Sequence, residues 1–278
     1  MRTVLVLASL VALLAAGCGG SSDAANGRTS VVAGFYPLAY AASQTGGDRV
    51  EVTNLTPPGA EPHDVELSAR DIERVTSADV VLLLGDAFQP ALERAAEGAD
   101  GTVVDALEGQ RVVDHDPHVW LDPVRYQAVV RRVAASLPGG DPEPLLRRLR
   151  ALDADFRTGL GDCDRHTIVT SHAAFGYLAR RYGLRQVAIT GLAPETEPTP
   201  QDLERVVREV ERSGATTVFA ETLLSPRLAE TVARETGATT AVLNPIEGLT
   251  EQQADAGADY ISVMRQNLAA LRKALGCR

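Results

Sequence analysis

Short apolar runs rich in β-branched residues alternate along the chain with stretches whose apolar positions recur every three or four residues. The first such runs cover 30–34, 50–55, 78–84 and 102–104, with helical patterns over 38–45, 68–76 and 90–97 between them. A second set of runs covers 167–170, 185–189, 216–220 and 240–243. Its helical patterns fall at 174–182, 200–212 and 225–236, and one long pattern over 250–275 closes the chain. Continuous apolar strands alternating with helices predict parallel sheets covered on both faces. Four strands, an interruption and four more strands predict an α/β protein of two similar lobes. Each lobe would hold a four-stranded parallel sheet flanked by helices. No repeat is visible at the level of residue identity.

The interruption reads as helix. Both 123–137 and 142–160 carry helical periodicity, and in the second Leu145, Leu146, Leu149, Leu152 and Phe156 recur at spacings of three and four. Asp141 followed by Pro142 predicts a cap and first turn, and Pro138-Gly139-Gly140 a turn between the two helices. The expected division is a first lobe over 30–137, a long linking helix within 138–162 and a second lobe over 163–278. A rigid inter-lobe helix would resist hinge bending more than extended strands would.

The N-terminus changes the picture. Arg2 precedes an apolar stretch over 4–14 that is too short to span a membrane. Ala15-Ala16-Gly17-Cys18 then resembles a bacterial lipobox, although Ala15 stands where leucine is usual. Residues 1–18 therefore read as a lipoprotein signal peptide with Cys18 lipidated, and 19–29 as a flexible tether. The expected location is outside the cytoplasm, anchored to the outer face of the cell membrane. The alternative is a plain secretory peptide cut nearby. The roughly 250 residues that remain are enough for a large core or two lobes. A formal net charge of −10 with no basic stripe argues against nucleic acid as a partner. Export also places Cys163 and Cys277 in an oxidising compartment, where such a pair commonly forms a disulfide. Two buried free thiols are the alternative.

Candidate chemistry rests on histidine. Three of the five, His63, His118 and His172, stand where loops leave predicted strands. Their contexts are PHDVELSARDIERV (62–75), DPHVWLDP (116–123) and TSHAAFGYLARRYG (170–183). Ligands of open α/β sheets bind beyond the carboxyl ends of the strands, so the three imidazoles would meet in the cleft between lobes. Imidazole suits zinc and other first-row metals. His115 reads as solvated and His166 as structural. Trp120, the single tryptophan, reads as a wall of the cleft. Asp64, Asp116 and Asp122 would either orient imidazoles or cap helices.

These motifs, together with EPTPQDLERVV (197–207), SPRLAETVARETGA (225–238) and LNPIEGLT (243–250), resemble the cluster A-I (ZnuA/TroA-like) solute-binding proteins of ABC importers for zinc and manganese. The resemblance covers nearly all of the chain beyond the signal segment. It implies two lobes bridged by a rigid helix, metal in the cleft, and His63, His118 and His172 as ligands. It implies delivery of zinc to a membrane permease by a monomeric, non-enzymatic receptor. His172 favours zinc, because manganese-binding members resemble this chain but usually carry a carboxylate there. Two departures stand out. The aspartate that is the fourth ligand in many relatives is replaced by Asn244, so Glu61, Glu221 and Glu247, or water, become candidates beside it. The His-rich acidic loop of many zinc-binding relatives is reduced to Asp114-His115-Asp116. The rivals are a manganese or iron receptor, a zinc hydrolase, for which no HExxH motif is present, and a surface adhesin. Binding through neutral imidazoles predicts that affinity falls below about pH 6.

Overall fold

A computed structural model describes residues 27–278. Signal segment 1–18, Cys18 and most of the tether lie outside the described residues. The chain runs β1 (Thr29–Ala33), α1 (Tyr36–Gly46), β2 (Val50–Asn54), α2 (Ala69–Ser77), β3 (Val80–Leu83), α3 (Pro90–Ala96) and β4 (Thr102–Asp105). Helices α4 (Pro123–Ala135) and α5 (Glu143–Gly159) follow. Then come β5 (Thr167–Thr170), α6 (Gly176–Arg181), β6 (Arg185–Ala188), α7 (Pro200–Ser213), β7 (Thr217–Ala220), α8 (Arg227–Thr236) and β8 (Thr239–Val242). Helices α9 (Glu251–Asp255) and α10 (Tyr260–Leu275) close the chain. The two sheets are each four-stranded, with orders β2-β1-β3-β4 and β6-β5-β7-β8, and every pairing is parallel. The second lobe thus repeats the topology of the first without repeating its residues.

Alternation along the strands builds three apolar layers. Val32, Val81 and Leu83 face outward onto Val75 of α2 and Leu92 and Ala96 of α3. In the second sheet Val169, Val218 and Ala220 face Val206 and Val210 of α7 and Ala229 and Val232 of α8. The opposite faces enter one shared cluster. Val31, Ala33, Val80 and Leu82 reach it from the first sheet, and Ile168 and Phe219 from the second. The five apolar residues of the 142–160 pattern fill its middle, between α1, α4 and α10. The predicted helical stripe therefore lies in the cluster that both sheets share. Arg148 of α5 binds the Tyr40 hydroxyl of α1 at 2.9 Å and the Asp259 carboxylate that caps α10.

Two local expectations need correction. The pattern over 250–275 is two helices, because Gly257 takes a left-handed φ of 69° and Asp259 starts a new capping box with Ser262. Helix α5 starts one residue after Pro142, yet Asp141 still does the capping chemistry, its Oδ1 accepting from Glu143 N–H at 3.0 Å. Cys163 and Cys277 are joined by a disulfide across 114 residues. Among the described residues no helix is long and apolar enough to cross a membrane.

Candidate metal centre

All three histidines of the sequence motifs lie beyond the carboxyl ends of the strands, where the two sheets face each other. His63 follows β2 through a loop that Thr56 ties to the Gly34 carbonyl at 2.7 Å. Gln89 supports the same loop by donating to the carbonyls of Pro62 at 3.2 Å and Gly34 at 3.1 Å. His118 immediately precedes a 3-10 turn at Val119–Leu121. His172 stands two residues beyond β5, its carbonyl accepting from the Thr170 hydroxyl at 2.8 Å and the Gln186 amide at 3.0 Å. Glu247 arrives from the loop after β8. The side chains of His118, His172 and Glu247 are fully buried and that of His63 is 9% exposed.

The four side chains converge on one point. Glu247 Oε1 lies 3.3 Å from His63 Nε2, 3.3 Å from His118 Nε2 and 3.2 Å from His172 Nε2. His118 Nε2 and His172 Nε2 are themselves 3.3 Å apart. A tetrahedron with metal–ligand bonds of ~2.0–2.1 Å, the zinc–imidazole and zinc–carboxylate range, has edges of about 3.3–3.4 Å. Four of its six edges are therefore present at the right length, and all four ligand atoms lie within 4.8 Å of one another.

Buried carboxylates set the orientation of two of the imidazoles. Asp116 Oδ1 accepts from the backbone N–H of His118 at 3.0 Å and lies 2.8 Å from its Nδ1. Glu221 does the same for His172 through both oxygens, at 3.0 Å from the N–H and 2.7 Å from Nδ1. A carboxylate on Nδ1 places the ring proton there and turns the Nε2 lone pair inward. Two lone pairs and a carboxylate oxygen thus face one another at 3.2–3.3 Å, with their side chains fully buried. Only cations relieve that arrangement, whether protons or a metal. The pKa values express the same demand. Burial pulls His172 down, but the Glu247 charge and hydrogen bonds to Glu221 and Glu247 raise it well above the imidazole range. His118 is raised despite burial, by its bonds to Asp116 and Glu247. Burial pushes Glu247 up, and the His172 charge and three imidazole contacts bring it far below the carboxylate range.

The other candidates fall elsewhere. Asn244 Oδ1 accepts from Ile246 N–H at 2.7 Å, so its oxygen is engaged within its own loop. Glu221 holds His172 from behind. Glu61 accepts from the His63 N–H at 3.3 Å, and burial, then the Glu247 charge, push it up to about 8. Asp122 caps α4, accepting from Val124 N–H at 2.8 Å, and Asp64 is exposed. His166 is exposed ahead of β5. The His115 side chain is 88% exposed and pairs with Asp86 at 3.3 Å. Trp120 is buried with its ring 5.1 Å from that of His118. The pairing of Glu221 with His172 was legible only through topology: β5 and β7 are neighbours, so residues just beyond their ends lie side by side.

Two parallel α/β lobes with a buried cluster of three histidines and one carboxylate, a group that could hold a metal ion, define the bilobed solute-binding class of fold. A family profile described as the periplasmic component A of a zinc-uptake complex (ZnuA) matches residues 31–274, and the chain belongs to that family. It is 34% identical to the zinc-binding lipoprotein AdcA of Streptococcus pneumoniae over 97% of its own length, but spans only 60% of that relative. It is 33% identical to the high-affinity zinc uptake system protein ZnuA of Bacillus subtilis, covering 95% of this chain and 94% of the other. The crystal structure of the Zn(II)-bound ZnuA-like domain of S. pneumoniae AdcA superposes with a TM-score of 0.77 at 33% identity, covering 90% of this chain and 99% of that domain.

Proposed function

We propose that this chain is a zinc receptor of an ABC importer, binding the ion through His63, His118, His172 and Glu247 and delivering it to a membrane permease. The observation that carries the reading is the set of tetrahedral edges around Glu247 Oε1. Three imidazoles with one carboxylate suit zinc better than manganese, which prefers more oxygen donors. Family membership supports the cargo and the transporter. A hydrolase needs an open coordination position for water, whereas here Glu247 supplies the fourth donor and the set is buried, which supports binding without catalysis. The reading includes a monomer with lobes over 30–137 and 163–278 joined through 138–162, held to the outer face of the membrane by lipid on Cys18. Offering zinc and manganese together to the chain and counting bound metal by native mass spectrometry tests it. One retained zinc per chain is expected. Manganese retained over zinc would overturn the cargo, and no retained metal would overturn the site.

A further inference from the structure

The loop that presents Glu247 is held in an unusual way. Ile246 sits at φ 57°. That is the left-handed region, where a β-branched residue is an outlier that the surroundings must enforce. It is fully buried, so the conformation belongs to the packed interior. Asn244 Oδ1 accepts from Ile246 N–H at 2.7 Å. Asn267 of α10 grips Asn244 on both sides, accepting from its N–H at 2.8 Å and donating to its carbonyl at 2.7 Å. Between these, Trp120 donates its indole N–H to the Pro245 carbonyl at 2.7 Å. Trp120 lies two residues after His118, and its own carbonyl accepts from the Tyr260 hydroxyl. On the far side of Glu247, Gly59 in the His63 loop donates to the Leu249 carbonyl at 2.9 Å. The Glu247 segment is thus braced on both flanks by the loops that carry His118 and His63.

A phenylalanine would fill much of the space of Trp120 against Phe35 and Phe88. Only the indole supplies a donor to the Pro245 carbonyl. Among the described residues Glu247 Oε2 is buried without a hydrogen-bond partner. A carboxylate free to turn would bring that second oxygen onto the ion and raise its coordination number. Zinc is served by four donors in a tetrahedron, whereas manganese suits sites richer in oxygen. Resting on the zinc reading above, we propose that Trp120 is a positioning residue for Glu247: its indole N–H fixes the carboxylate as a one-oxygen donor and thereby sets both the zinc residence time and the preference for zinc over manganese.

Trp120→Phe tests this. The zinc dissociation rate should rise roughly three- to tenfold, the size of one lost hydrogen bond. Manganese affinity should hold or improve, so that the zinc-to-manganese affinity ratio falls by at least the same factor. Equal weakening of both metals, or no change in either, would overturn the proposal. A second measurement needs no variant. The one indole N–H can be followed by its deuteration-sensitive Raman band, which paramagnetic manganese does not broaden, and by reciprocity of coupling zinc loading should slow its exchange with deuterium at least threefold more than manganese loading does. Exchange that ignores which metal is bound overturns the proposal even if Trp120→Phe does not fold. A wild-type chain that takes up no zinc would sink the underlying reading together with this one. A wild type that holds zinc beside an indistinguishable Trp120→Phe sinks this one alone.

Discussion

His118 and His172 are held by what their rings touch; His63 is held by where its loop runs. Each of the first two has a buried carboxylate bonded both to its backbone N–H and to Nδ1. For His63, the carboxylate of Glu61 reaches the backbone N–H alone, and the ring leans on Phe88 at 4.6 Å. The difference teaches that one metal polyhedron can be assembled by two kinds of constraint. Electrostatic locking sets tautomer and aim together. Loop anchoring sets position and leaves the ring to packing.

The comparison breaks most visibly at the ligands. His172→Ala and His63→Ala should each weaken zinc by roughly two to three orders of magnitude, a quarter share of a typical four-ligand binding energy, measured by competition against a chelating dye. They should part company in the metal-free protein. His172→Ala leaves Glu221 and Glu247 buried without their shared imidazole and should destabilise the fold by about 3 kcal/mol or more. His63→Ala leaves no such orphan and should cost clearly less in chemical denaturation. Equal losses would mean that the carboxylates do not distinguish the two ligands.

Next in size are the carboxylates themselves. Asp116→Asn and Glu221→Gln should each lower zinc affinity about 10- to 100-fold, the usual cost of removing a hydrogen-bond partner behind a metal-bound histidine. An effect below threefold in both would remove the electrostatic half of the comparison.

Protons give a third, graded test. Zinc takes neutral imidazoles, and His118 and His172 hold their protons above the ordinary imidazole value. Zinc affinity should therefore begin to fall on acidification above about pH 6.5, the free-imidazole value, and so earlier than the pH 6 expected from three ordinary histidines. The metal-free fold has the opposite sign. Pairs formed by protonated His118 and His172 stabilise it at low pH, and that contribution is lost as pH rises through their raised folded values. The melting-temperature gain on adding zinc should thus grow with pH, and a gain independent of pH between 6 and 8 would contradict the assignment. The smallest effect is at His115. Exposed and paired with Asp86, it should change zinc affinity less than twofold when replaced by alanine.

Much of this was legible because apolar runs are read locally. The central strands β3 and β5 lie inside the runs that predict them, since strands buried on both faces need no partner to be recognised. The histidines were legible as motifs. What sequence order hides is adjacency. Nothing near position 172 announces Glu221, 49 residues on; the strand order makes them neighbours. Glu247 stood as one of several carboxylates because the reach of a loop residue depends on the turn before it, here on the left-handed Ile246, a conformation that no propensity assigns to isoleucine. The break before α10 was available in Gly257 and Asp259 and was overridden by an apolar pattern that continues across it.

The shared apolar layer around α5 also bears on how the molecule melts. Each sheet has its own outer layer, so two lobes would by themselves suggest two calorimetric transitions. Yet Ile168 and Phe219 from one sheet and Val31 and Leu82 from the other bury into the same cluster, and neither sheet can release its inner face without exposing the other's. The chain should unfold as one cooperative unit, with calorimetric and van't Hoff enthalpies in agreement. An ion held by four side chains would then stabilise residues throughout both lobes, and hydrogen exchange far from the pocket would slow when the pocket fills.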